Sequence, residues 1–110
     1  MAIDIPTLRK LVSLDENDPL SRFALGKKLF EQADDEAMLR EAAEHLQFAN
    51  ARAPEHLATY HILAQALLGL NRPADARIVL EEGIRRVGTV DQGMGRDLGP
   101  AMQDMLARLQ

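Results

Sequence analysis

Six helices and no sheet are what this 110-residue sequence predicts, on three observations. Apolar residues recur at spacings of three and four along most of the chain, the period of a helix with one buried face. Alanine, leucine and arginine dominate and aromatic residues make up only 4%, a composition that favours helix over strand. The chain also repeats itself: Ala42, Leu46, Ala49 and Pro54 return 34 residues later as Ala76, Leu80, Gly83 and Gly88, the mark of stacked helical units. Helix should then fill about two-thirds of the chain, twice the usual share.

Ile5, Leu8, Leu11, Val12 and Leu14 predict a first helix over residues 5–14, with Pro6 early in it. Asp15-Glu16-Asn17 is a loop. Asp18 reads as the next N-cap and Pro19 as the first helical residue, where its missing N–H costs nothing. Leu20, Phe23, Ala24, Leu29 and Phe30 give that second helix its apolar positions. A break at Ala33–Glu36 offers Asp34 or Asp35 as a cap, and Met38, Leu39, Ala42, Leu46 and Ala49 mark a third helix ending near Ala53-Pro54. From His56 to Leu70 there is no Asp, Glu, Lys or Arg, so the fourth helix should be covered on most sides. At about 15 residues it is too short to span a bilayer. Asn71 tolerates the left-handed conformation that ends a helix, and Pro73 starts the amphipathic fifth, the two helices forming an αα-hairpin. The Ile78-Val79-Leu80 run lies inside this helical pattern. Gly88 to Gly99 reads as a glycine-rich connection. Leu98, Met102, Met105, Leu106 and Leu109 predict a last helix over residues 98–109, with Pro100 early in it, covering the apolar face of the fifth.

Upstream of the 34-residue repeat, Leu25-Gly26 and Leu29 return as Leu63-Ala64 and Leu67, now 38 residues later. The first unit therefore holds four extra residues between Phe30 and Ala42, about one helical turn. On these residues the chain resembles the tetratricopeptide repeat (TPR) family, whose pattern is a large aromatic, Leu-Gly, an aromatic, then Ala, an aromatic and a closing Pro. Residues 55–87 match it through Tyr60, Leu63-Ala64, Leu67, Ala76 and Leu80, with Gly88 in the place of Pro. Residues 19–53 match through Leu25-Gly26, Leu29, Ala42 and Leu46, with Pro54 closing. They depart from it at Arg22, where the large aromatic belongs, and at the insertion. Residues 5–14 resemble the second helix of a preceding half-repeat, and 98–109 would be a capping helix.

The resemblance implies a single all-α domain over residues 1–110, antiparallel hairpins stacked as a short right-handed superhelix. It also implies a concave groove for a peptide or partner protein along the first helix of each repeat. Counted from Gly26 and Ala64, the groove residues are Phe23, Lys27 and Phe30, then Ala58, His61, Gln65 and Leu68. The family's carboxylate-clamp subgroup places Lys and then Asn four residues on. Here the matching pair is Phe23 and Lys27, so recognition of acidic C-terminal tails is not implied. The alternative reading is a structural protein whose uncovered end pairs with a second copy as a homodimer.

The chemistry agrees with a binding protein rather than an enzyme. There is no cysteine, hence no disulfide, thiolate nucleophile or Cys-based metal site, which fits a reducing, cytoplasmic location. The start MAIDIPTL lacks the basic and long apolar regions of a secretory signal. A net charge of −4 argues against nucleic acid and anionic membrane as partners. His45, His56 and His61 form no HExxH motif, and His56 and His61 stand on different helix faces, so no metal or other cofactor is expected. Gly93-Met94-Gly95-Arg96-Asp97-Leu98-Gly99 has the glycines of a dinucleotide loop but not its last spacing or a preceding strand, and reads as a flexible connection. Residues 31–55 are acidic, while Arg77, Arg85 and Arg86 lie on the second helix of the last repeat and make its end basic.

Overall fold

The computed structural model describes residues 3–88 and 95–109, with backbone alone for 95–97. Six helices fill 82% of the described residues, and none of these is in a strand. They are α1 (Ile5–Leu14), α2 (Pro19–Gln32), α3 (Glu36–Arg52), α4 (Leu57–Gly69), α5 (Pro73–Val87) and α6 (Gly95–Arg108).

The helix ends follow from local chemistry. Asp4, Asp18 and Asp35 are N-caps whose carboxylates accept from the backbone N–H of Thr7 (3.0 Å), Leu20 (3.1 Å) and Met38 (2.8 Å). Of the two candidate caps for α3, Asp35 is the one used. α4 ends in a Schellman turn: Arg72 N–H donates to Leu67 O (2.9 Å) and Asn71 N–H to Leu68 O (3.0 Å). Asn71 has φ of 60°, the left-handed conformation its type suggested, and Pro73 opens α5 two residues on.

The four extra residues of the first hairpin are helix, not loop. Both hairpins turn in three residues, 33–35 and 70–72. α2 runs seven residues past Leu25 where α4 runs six past Leu63, and α3 starts six before Ala42 where α5 starts three before Ala76. An added turn of helix keeps the buried faces in phase, which is why the insertion leaves the repeat pattern intact.

The C-terminal helix differs from the sequence expectation. It starts at Gly95 rather than residue 98, so Pro100 is its sixth residue and interrupts one internal hydrogen bond instead of sitting harmlessly in the first turn. Gly95 to Gly99 are therefore helical and not a flexible connection. The rest of that glycine-rich stretch, residues 89–94, lies outside the described residues.

Packing repeats along the chain. α2 pairs with α3 and α4 with α5 as antiparallel hairpins; α4 then lies on α3 and, more lightly, on α2. α6 takes the same position one step on, against α5 and, more lightly, α4. Thus α2, α4 and α6 stand side by side, with α1, α3 and α5 behind. One cluster of buried residues joins Leu46, Tyr60, Leu63, Leu67, Leu80 and Met102, and a second joins Leu8, Val12, Leu25, Leu29 and Ala42. Small residues sit where helices come closest. A Cβ on Gly26 would lie 2.8 Å from Leu46 Cγ, and one on Gly83 would lie 2.8 Å from both Met102 Sδ and Tyr60 Cβ. Met102 is fully buried, so α6 covers the Leu80 face of α5 as expected, while Ile78 is 65% exposed on the far side.

Candidate functional site

The face formed by α2 and α4 carries all seven residues singled out in the sequence. On α4 the only side chains outside full burial are Ala58, His61, Ile62, Gln65 and Leu68. They recur at three- and four-residue intervals and so form one stripe down the helix. Everything else on α4 except the terminal Gly69 is buried, which accounts for a helix without a single charged residue. On α2, Lys27 is exposed, Phe23 is half-buried, and Phe30 is partly buried between the two core clusters. Phe30 is thus more wall than contact surface.

A chain of contacts fixes the floor between the two helices. Tyr60 is buried in α4 and its hydroxyl donates to the Pro54 carbonyl at 2.6 Å, pinning the 53–56 connection. That connection presents His56, whose Nδ1 is hydrogen-bonded to the Thr59 hydroxyl at 2.8 Å. The His56 ring meets Phe23 edge to face, with centroids 4.6 Å apart. Aromatic pairs in this geometry add to burial alone, so Phe23 is held toward the α4 side of the face. Further along α4 the Gln65 amide nitrogen lies 3.4 Å from His61 Nε2.

Three residues of this face escaped the sequence reading. Leu20, 60% exposed, stands 38 residues before Ala58, so applying the repeat offset to Ala58 would have found it. Ile62 completes the α4 stripe but has the composition of a core residue. His56 precedes its helix and acts through a contact with Phe23 that no local pattern encodes.

Beside Phe23 and Lys27 the face deepens into a crevice of about 300 Å³ between the start of the chain and α2, lined by Ile3, Leu8, Phe23, Ala24, Lys27, Lys28 and Glu31. Behind this face, α1 and α3 are linked by the Arg9–Glu41 ion pair. The Arg9 hydrogen bond holds the Glu41 carboxyl below its ordinary range. His45 lies next to Glu41 at 3.4 Å, and burial pushes its imidazole below the usual value. Arg22, in the place of the TPR-type aromatic, stacks its guanidinium 4.2 Å over Phe48 and donates to the Glu16 carbonyl at 3.0 Å. A flat cation on an aromatic ring fills the position that Tyr60 fills in the next hairpin.

Among the described residues no three His, Asp or Glu side chains gather as a metal site, and no described helix is long and apolar enough to cross a membrane. The chain matches no protein-family model and no curated protein.

Proposed function

We propose that this chain is a non-catalytic interaction module of the TPR kind, which takes a peptide or partner-protein segment along the α2–α4 face. The observation that carries this reading is the stripe of part-exposed residues on an otherwise buried, uncharged helix, flanked by exposed Leu20 and Lys27. A helix kept free of charge and covered by protein on every other side has its remaining face available for an apolar or hydrogen-bonding ligand. The mixture of aromatic, aliphatic, amide, imidazole and one ammonium suits an extended or helical peptide. The position of α6, packed on α4 and α5 as α4 packs on α2 and α3, supports the repeat reading, because it supplies a third groove wall. A cytoplasmic location fits the cysteine-free composition.

The test is affinity capture from the native cell with the full chain and with the Lys27→Glu, Gln65→Ala double variant. Both positions are at least partly exposed, so melting should change little while partner capture falls. Unaltered capture would move the interaction to another face.

A second reading, self-association as a homodimer, has its own observation. On α1, Leu11 is 40% and Leu14 75% exposed, on a helix that packs on α2 and is tied to α3 by the Arg9–Glu41 ion pair. In α3 and α5 the corresponding helix lies against two neighbours. The outward side of α6 is by contrast polar or small, with Gln103, Asp104, Ala107 and Arg108 exposed. Such asymmetry favours pairing of two α1 ends over head-to-tail chains. Sedimentation velocity across a hundredfold concentration range tests it: a mass that rises with concentration and drops back in Leu11→Ser, Leu14→Ser supports the dimer, and a constant monomer mass rejects it.

A further inference from the structure

We infer that the crevice beside α2 is the anchoring subsite of the groove, and that it takes an apolar side chain of a peptide with acidic residues on either side of it. The inference rests on the peptide-binding reading above and names the ligand class.

Three observations carry it. The crevice is continuous with the groove, because Phe23 and Lys27 line both. Its floor is apolar, made by Ile3, Leu8, Phe23 and Ala24, and its volume of about 300 Å³ is at the small end for a ligand pocket. That suits one leucine, isoleucine or phenylalanine side chain better than a whole metabolite.

The third observation is charge. The chain is acidic overall, with a net charge of −4, and every arginine whose side chain is described is engaged by a carboxylate, a carbonyl or an aromatic ring. Lys27 and Lys28 are not: among the described residues neither has an ion pair or a hydrogen bond, Glu31 one turn on included. Whereas the described arginines are all engaged, none of the chain's three lysines has an ion pair among the described residues, and two of them line this one apolar crevice. As consecutive helical residues they point about 100° apart and cannot close on one carboxylate. They flank the opening instead, Lys27 on the Phe23 side and Lys28 on the Ala24 side. The complementary ligand is an apolar residue between two acidic ones, and Glu31 beyond them disfavours a further acid at that end.

Selection of peptides from a random display library on the immobilised full chain tests this, followed by fluorescence anisotropy with the selected sequences. Enriched peptides should carry a large apolar residue bracketed by Asp or Glu. Lys27→Glu, Lys28→Glu should weaken them about tenfold and favour lysine-bracketed versions. Ala24→Phe, which fills the crevice, should weaken them as well, and because it touches the core its fold is checked by circular dichroism; the surface lysine variant stands without that concern. Enrichment of peptides with no acidic preference, or equal binding by the charge-reversed chain, overturns the inference and leaves the groove standing. Failure to enrich any peptide overturns both this and the peptide reading beneath it.

Discussion

Asn71 and Gly83 show how single positions hold the stack together. Asn71 sits at φ of 60°, a conformation that costs other non-glycine residues about 1 kcal/mol or more, and it donates within the turn that ends α4. Asn71→Val should therefore lower stability by about 1–2 kcal/mol, and Asn71→Gly should leave it nearly unchanged, as read by urea denaturation. Gly83 is where α4, α5 and α6 converge. An added methyl meets the end of the flexible Met102 chain, which can shift, and the Cβ of Tyr60, which cannot without moving the α4 backbone. The overpacking cost of about 1–3 kcal/mol outweighs the gain of about 1 kcal/mol from a better helix former, so Gly83→Ala should be net destabilising. His45 sets a pH dependence. Its folded pKa is depressed by burial, so the folded protein resists a proton that the unfolded chain accepts. Its contribution is whole above the ordinary histidine value of about 6.5 and is lost as pH falls from there through the folded value. Glu41, also depressed, adds a loss in the same direction at lower pH. Melting temperature should fall on acidification from about pH 6.5, and His45→Gln should flatten the upper part of that fall while leaving the carboxylate part.

At the scale of elements, what the sequence made legible was whatever one helix decides by itself. Asp18 with Pro19, Asn71 with Pro73, and the charge-free run into Leu70 were each readable because capping and burial act within one helix or its ends. The 38- and 34-residue offsets located the insertion, though not that it would be spent on helix, since the two hairpin turns are equally short in the structure. The start of α6 was misread because glycines weigh against helix locally, and packing of Met102 against Gly83 and Tyr60 overrides that preference. The shared α2–α4 face was legible through the repeat, and the crevice beside it was not, because Ile3 and Leu8 reach α2 from a different element. α6 carries the sharpest prediction at this scale. Deleting residues 97–110 removes buried Met102 together with the partly buried Leu98, Met105, Leu106 and Leu109, and uncovers Leu80 and Ile84. Stability should drop by several kcal/mol, and a truncated chain melting at the same temperature would show that α6 covers nothing of consequence. Met102→Ala, at a fully buried site, should by itself cost about 2–5 kcal/mol.

For the whole molecule, the stack places α2, α4 and α6 along one side and leaves α1, α3 and α5 behind, so the two sides can be interrogated separately. The back has its own charged network of Arg9, Glu41, His45 and Arg22, and one large exposed apolar residue on α5, Ile78. The front has the charge-free α4 stripe and the crevice under Lys27 and Lys28. The proposed function requires partners to engage the front. Photo-crosslinking in the native cell tests it most directly, with a benzophenone side chain placed at Gln65 in one full-length variant and at Ile78 in another. Cross-linked adducts from Gln65 and none from Ile78 are the result the groove predicts; adducts from Ile78 with none from Gln65 would contradict it.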